Sequence, residues 1–562
     1  MSLLHRVVLP ALAVPGLVFL IACGGGSNNS VPPPSGGFTN SDFNGTYTFS
    51  IAGNDPSVTC ESEFGETACL GAYSAAGTIT ASSGKITAGT VDIYDVSGVI
   101  AQAAPVNASA STYNLNPNGI GTLTLNFGNQ IAPLSFTFVL TDAAHGYIME
   151  YDNSGAGGSG TIDLQPNPVT LSNSSYAFSI SGGTMVATSS SGISTPLATV
   201  GAFTLDSGAV TGMADLNNDG SPATALPLTG NISAPSGTTP GTATLTISNV
   251  GTLVFHVYAI DATHLKLIET DQQAVFVGDI FSQPSTSIPA ATLAFTMASL
   301  NIPGLSNGSS TSVLAVGGTV ASDGSSMLTN GSEFSNSNGT LNTSSTSFTG
   351  SFTSLPTGNT IGRYGVTLTG FTGGSNFAAY PSSGGILMLE VDSASTLGVG
   401  GITAGVAMAQ DSPGGVAASQ GYALNLTGAD LADGTELDQI AQFNTTSSKI
   451  SGTMYQNDLG GTVNGGNPLQ NYGIGGSSSF TTGATGEVVL AFNGIQEGVL
   501  NFGVDSATSL VLAGDTNGDV SLGVLEQQGS PTSTADVAAR HLAMVKAAAF
   551  AHARTARKKK QL

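Results

Sequence analysis

The chain has 562 residues, 76 of them glycine and none tryptophan; only 8% are charged, and the formal charge is −23. An apolar fraction of 40% with so few charges excludes a disordered chain, which needs low hydrophobicity and high charge. Residues 24–530 hold 34 acids against 4 bases, net −30, whereas residues 531–562 hold seven bases and one acid; the acidic body excludes nucleic acid as a partner. About 540 residues beyond the first apolar run imply roughly three to five domains. The surplus of Gly, Ser, Thr and Asn is that of an exported β protein rather than a cytosolic enzyme.

The first element is a short basic start, His5-Arg6, then about fifteen apolar residues. That run is too short to span a bilayer and has the layout of an export signal. It ends in Leu20-Ile21-Ala22-Cys23, followed by Gly24-Gly25-Gly26-Ser27, and so resembles the lipobox of bacterial lipoproteins. The resemblance covers residues 1–23. It implies cleavage before Cys23, acylation of that residue and a lipid-anchored chain at the outer membrane or cell surface. Residues 1–22 are then the signal peptide and 23–42 a flexible tether, stiffened at Pro32–Pro34. The remaining cysteines, Cys60 and Cys69, are expected to form a disulfide in an exported protein, because their spacing matches no zinc pattern.

Beyond the tether one strand pattern opens four copies: Tyr47-Thr48-Phe49-Ser50-Ile51, Tyr176-Ala177-Phe178-Ser179-Ile180, Leu293-Ala294-Phe295-Thr296-Met297 and Tyr422-Ala423-Leu424-Asn425-Leu426. A hairpin signature follows, as in Gly201-Ala202-Phe203-Thr204 with Gly208-Ala209-Val210-Thr211. Later period-two runs such as Ser135-Phe136-Thr137-Phe138-Val139 and Thr244-Leu245-Thr246-Ile247 mark half-buried strands. The count is about eight strands per copy. The expected fold is all-β: four tandem eight-stranded antiparallel meander units, barrel-like because a closed meander hides its edges, with a sandwich as the alternative. The copies are placed at 43–167, 173–285, 290–412 and 420–530, with a basic helical tail at 531–562.

The most persistent polar feature is an acidic pair ending the seventh strand: Glu150 and Asp152, Glu269 and Asp271, Glu390 and Asp392, with Ala513 where the fourth copy would carry its Glu. By alternation each Glu shares a face with Ile148, Leu267 or Met388 and points toward a barrel mouth. Such pairs offer acid–base chemistry or a cation site, against the plainer reading of solvated strand ends or acceptors of backbone N–H groups. His145 and His264 sit in the preceding turns, and no nucleophile elbow marks a serine for them. The runs Asp215–Gly220 and Asp515–Asp519 are half-matches to calcium loops, and for the second a plain hairpin suffices.

No cofactor motif is read. The expected function is a non-enzymatic, lipid-anchored cell-surface protein acting as spacer, adhesin or binding array, attached to the membrane through Cys23 and open to a protein or glycan ligand. The alternative is a secreted hydrolase or glycan-binding protein with a site in one β unit. With so few bases, the carboxylates are expected to be mostly solvated and the stability of the body nearly flat from neutral pH to about pH 4.

Overall fold

A computed structural model describes residues 37–529, apart from 56–58, 63–64, 69–70, 129–130, 167, 185–195, 219, 303–311, 357–359, 393–399, 412, 432–434, 448, 460–466 and 484. Cys23, Cys69, the side chain of Cys60 and the tail with its expected helix lie outside the described residues.

All 36 described elements are β-strands. Thr59–Ser62 and Gly65–Ala68 pair as a separate two-stranded ribbon, and the others build four antiparallel barrels, spanning Gly45–Gln165, Ser174–Ser282, Thr292–Ala409 and Gly421–Gln527 and called barrels 1 to 4 here. Barrel 2 shows the plan: Ser174–Thr184, Pro196–Asp206, Ala209–Asn218, Ser221–Ile232, Gly241–Ile247, Gly251–Ala259, His264–Glu269 and Ala274–Ser282 pair in sequence, and the eighth strand returns to the first. Barrel 3 closes the same way. In barrel 1 the fourth strand is broken into Gly98–Pro105 and Thr112–Leu115, and the ring closes through the pairing of Lys85 with Thr112. In barrel 4 the break falls between Leu469–Ile474 and Ser479–Phe480, and the Gly475 N–H bridges it to the Ala491 carbonyl at 3.1 Å. Closure removes the edges that an open eight-stranded meander would expose.

Each interior is filled by the inward residues of its own strands. Phe49, Phe136, Phe138 and Ile148 fill barrel 1, Phe178, Phe203, Phe255 and Leu267 fill barrel 2, and Leu424, Phe443, Leu490 and Val511 fill barrel 4. Gly201 explains the glycine of the hairpin signature: a Cβ there would stand 2.5 Å from the Phe178 ring and 2.6 Å from the Met213 carbonyl. Barrel 3 keeps an apolar cavity of about 30 Å³ among residues such as Phe295, Met297, Phe348, Phe371 and Met388, room for roughly one water molecule.

Where barrels meet, the outward faces are buried too, which accounts for strands apolar on both sides, while strands away from these contacts, such as Gly241–Ile247, keep an exposed outer face. In His145–Glu150, Ile148 points inward while Tyr147 and Met149 join a second apolar cluster with Ala198, Val200, Tyr380, Leu389, Phe502 and Leu512 from the other barrels. The strands at these contacts show a fixed rule. The first and second strands of one barrel pack on strands six to eight of the next, from barrel 1 to 2, 2 to 3 and 3 to 4, and the first and second strands of barrel 4 pack back on barrel 1. The four barrels therefore close into a ring. A head-to-tail interface repeated between subunits makes a closed ring only when its rotation permits; here the repeat is within one chain and closes after four.

Matching rims meet at these contacts. The end of the third strand meets the end of the seventh: Asn217 donates to the Glu390 carbonyl at 3.0 Å, Asn336 to the Ala513 carbonyl at 2.8 Å, and Asn457 to the Glu150 carbonyl at 3.0 Å. The opposite rim carries a glutamine clasp. The side chains of Gln165, Gln283, Gln410 and Gln528 donate to the carbonyls of Ala259, Pro381, Gly503 and Leu140, at 2.6, 2.8, 2.5 and 2.8 Å. These positions are equivalent by register. Each glutamine ends or directly follows its eighth strand, opposite the residue before the opening pattern, and each acceptor lies in the last two residues of a sixth strand. With like rim beside like rim, the four first strands end on one face of the ring, at Asp55, Thr184, Ile302 and Asp430. The chain enters and leaves on the other face, where the Phe38 N–H donates to the Pro117 carbonyl at 2.9 Å and the Gly529 N–H to the Thr141 carbonyl at 2.8 Å.

Candidate functional site

The acidic pairs stand at the rim that carries the long connections. The alternation expected from sequence holds, since Ile148, Leu267 and Met388 line interiors and the glutamates two residues on share their face. Each aspartate holds the start of the neighbouring sixth strand. Ser135 N–H donates to Asp152 at 2.8 Å, Val254 N–H to Asp271 at 2.9 Å, and Ser375 and Asn376 N–H to Asp392 at 2.6 and 2.8 Å.

The glutamates are shut from water, at 0%, 1% and 4% exposure for Glu150, Glu269 and Glu390. Burial pushes the Glu150 carboxyl well above its usual range, with Asp152 beside it adding to the rise, while Ser154 donates to it at 3.0 Å. Burial and then Asp271 push Glu269 up to about 10, against the pull of the Ala274 and Gln273 N–H groups that donate to it. Glu390 is raised by burial to about 7. The expectation of mostly solvated carboxylates is thus corrected. Composition counts the missing bases, but it does not reveal that a ring of barrels buries strand ends that a lone barrel would leave in water.

Sequence reasoning missed the charged groups at the barrel interfaces. Asp215, read as half of a calcium loop, receives a two-pronged bond from the next barrel: Arg363 Nε at 2.8 Å from Oδ2 and Nη2 at 2.6 Å from Oδ1, with the Tyr380 hydroxyl at 2.5 Å. Charge-assisted, bidentate pairing of this kind is the strong class of hydrogen bond. Asp92 holds the equivalent place in barrel 1, where His256 Nδ1 lies 2.7 Å from Oδ2 and the Tyr258 hydroxyl donates at 2.5 Å. Burial raises both phenols far above their usual range, so Tyr258 and Tyr380 remain donors. In the other two interfaces this place is aromatic, Phe334 against Phe502 with centroids 5.6 Å apart and Tyr455 against Tyr151 at 5.4 Å.

His145 and His264 prove to be turn residues with a second role. Asp142 accepts the His145 N–H at 2.9 Å, and the ring Nδ1 lies 2.9 Å from Asp163; His264 Nε2 lies 2.9 Å from Asp279. Lys266, fully buried between barrels 1 and 2, sits 3.7 Å from Asp163 and 3.8 Å from Asp279 and donates to Thr161 at 2.6 Å. Between barrels 4 and 1, Asn54 donates to Glu436 at 2.6 Å and Ser159 to Asp438 at 2.7 Å. Burial raises both carboxyls there, Asp438 to about 7. Asp515 accepts the N–H groups of Asn517 and Gly518 at 2.7 and 3.0 Å, which makes its run the plain hairpin.

The fold and these interfaces define an all-β protein of tandem eight-stranded antiparallel barrels. No protein-family model matches the chain, and no curated protein matches it. Among solved structures, a single-site mutant of Transferrin Binding Protein B from Haemophilus parasuis Hp5 aligns at 10% identity over 86% of this chain and 96% of its own, with a TM-score of 0.17. Transferrin binding protein B from serogroup B Neisseria meningitidis aligns at 9% identity over 68% and 83%, TM-score 0.17. Intact Ap-TbpB, with N and C lobes, aligns at 10% identity over 90% and 98%, TM-score 0.18. With TM-scores this low the likeness assigns neither fold nor ligand to this chain.

Proposed function

We propose that the chain is a lipid-anchored cell-surface protein, acylated at Cys23, that acts without catalysis as a rigid platform for a protein ligand. The observation that supports this reading most is the polarity of the ring. The chain enters the ring on the glutamine-clasp face, and the four first strands end on the opposite face, where residues 56–70, 185–195, 303–311 and 431–434 follow them. The barrel interiors are packed with side chains, so binding falls to the rim connections rather than to a cavity inside a barrel. The recurring polar groups have structural partners: Asp92 and Asp215 face donors from the next barrel, and Asp152, Asp271 and Asp392 hold N–H groups of the sixth strand in their own barrel. A platform made of one ring presents its loops at fixed spacing, which lowers the ordering cost of binding.

Two measurements test the reading. Metabolic labelling with an acyl-chain probe is expected to mark the wild type and not Cys23→Ser. Protease added to intact cells is expected to cut first within 56–70, 185–195 or 303–311. Release of the wild type as soluble, unlabelled protein defeats the anchor, and complete resistance of the chain on intact cells, with cleavage once they are lysed, defeats the surface location.

A further inference from the structure

The contact between barrels 1 and 2 buries a primary amine between two carboxyls. Lys266 lies on the seventh strand of barrel 2, between Leu265 and Leu267, which line that barrel's interior, so it points outward to barrel 1. Directly opposite it in barrel 2 stands Asp279. Across the interface stand Thr161 and Asp163, which flank the inward Ile162 on the eighth strand of barrel 1. Lys266, Thr161 and Asp163 are 0% exposed and Asp279 is 3% exposed. The Lys266 nitrogen is 3.7 Å from Asp163 Oδ2 and 3.8 Å from Asp279 Oδ1, both longer than a charge-assisted hydrogen bond. It donates to Thr161 Oγ1 at 2.6 Å.

These groups stand in the order that amide formation requires. Thr161 Oγ1 accepts from Lys266 Nζ and donates to Asp163 Oδ2 at 2.9 Å, so a proton can pass from the nitrogen to that oxygen along two hydrogen bonds. The other carboxyl oxygen, Oδ1, lies 2.9 Å from His145 Nδ1, a donor placed where negative charge gathers when the carboxyl carbon is attacked. Asp279, with His264 Nε2 at 2.9 Å, stands beside the nitrogen. A buried ion pair carries the desolvation cost of two charges, and moving one proton through Thr161 turns it into a neutral amine beside a neutral acid. An amine in that state is a nucleophile. Two reactants fixed side by side need no encounter, and a site closed to water protects the product from hydrolysis.

We propose that Lys266 Nζ and Asp163 Cγ join in an amide bond that ties barrel 2 to barrel 1. The neutral nitrogen attacks Cγ and an electron pair moves onto Oδ1. His145 Nδ1–H holds that oxyanion while Asp279 offsets the positive charge on nitrogen. A second proton then passes from nitrogen through Thr161 to Oδ2, the Cγ–Oδ2 bond breaks, and Oδ2 leaves as water. Two of the three ammonium protons depart in that water, the third stays on the amide nitrogen, and the balance needs no further reactant. One positive and one negative charge vanish together, so the net charge of the interface is unchanged. The bond closes a loop that persists in the unfolded chain and restrains the first two barrels as a pair. It needs neither the lipid anchor nor a ligand, so it is tested apart from the proposed function.

The test uses the full chain as Cys23→Ser, which carries no acyl group, folded first, then denatured, reduced and digested with trypsin for mass spectrometry. Between Lys85 and Arg363 the sequence has one further tryptic position, Lys266. With a free amine at Lys266 the enzyme releases residues 86–266 and 267–363; with the amide it releases residues 86–363 as one fragment, lighter than its sequence by one water. The single fragment is expected, and sequencing of the linked peptides from a chymotryptic digest is expected to place the bond at Asp163. Cleavage after Lys266, with both fragments at full mass, overturns the proposal, and so does a bond to Asp279. Loss of one water that persists in Asp163→Leu also overturns it, because the water would then come from another pair. Thr161→Val keeps the shape of the side chain without the hydroxyl and is expected to give the two separate fragments. A fully linked Thr161→Val chain overturns the route assigned to the proton.

Discussion

Asp215 shows how a single side chain changes meaning between sequence and structure. Its neighbours Asn217 and Asp219 suggest a cation loop, but the guanidinium that neutralises it comes from Arg363, which no local pattern connects to it. Truncating one member of a buried pair strands the other without a counter-charge, at a cost of about 3–5 kcal/mol, whereas replacing both by apolar groups is often neutral. Asp215→Ala is therefore expected to lower the denaturant midpoint strongly, and Asp215→Leu with Arg363→Met to recover most of the loss. Equal losses for the single and double variants would show that the pair contributes as a net attraction rather than as mutual compensation. The aromatic pair Phe334 and Phe502 at the equivalent place in the next interface is in effect the apolar version already present in the chain.

At the scale of the elements, strands were legible and their partners across barrels were not. Alternation in Ser135-Phe136-Thr137-Phe138-Val139 and the recurring Tyr/Leu-Ala/Thr-Phe/Leu opening are local signals, so the eight-strand copies could be read from them. The glutamine clasp was also present in the sequence, as one Gln at the same register at the end of each eighth strand, but a lone Gln has no periodicity to draw attention to it. Only the structure gives it a partner. The buried state of Glu150, Glu269 and Glu390 was not legible, because alternation tells which face a residue takes and not what covers that face. Among the four clasps, Gln528 closes the one contact between successive barrels that no linker joins. Gln528→Ala leaves the Asn118 and Leu140 carbonyls without their donor, a loss of about 1–3 kcal/mol. It is expected to speed amide hydrogen exchange along the barrel 1 to barrel 4 seam, around Thr141 and Gly529, while Gln283→Ala leaves that seam unchanged. Identical exchange in both variants would contradict a special role for the closing clasp.

For the molecule as a whole, the buried carboxyls set the direction of its response to pH. Burial raises Glu269 to about 10, Glu497 to about 8, Asp519 to about 9, and Glu390 and Asp438 to about 7. A carboxyl raised on folding binds its proton more tightly in the folded chain. Its stabilising effect is complete below the unfolded pKa, near 4, and is lost as pH rises through the folded value. Each such group gives a slope of up to about 1.4 kcal/mol per pH unit within that window. Stability is therefore expected to rise as pH falls from 8 to 5, rather than stay flat, and relief of self-repulsion in the acidic body acts in the same direction. Denaturant midpoints of the Cys23→Ser chain at pH 8 and pH 5 check this, and a lower midpoint at pH 5 would mean that these carboxyls are ionised when folded.

The ring itself is the claim on which the rest depends, because the shared face of the first-strand ends, the common face of entry and exit and the closing clasp all follow from it. Small-angle X-ray scattering of the full chain as Cys23→Ser measures it directly. Close packing of about 490 residues gives a radius of gyration of about 23 Å, whereas four such barrels strung in a row would give more than about 30 Å. The account predicts a value near the first, with a compact pair-distance distribution. A value near the second, with the long tail of a string of beads, would contradict it.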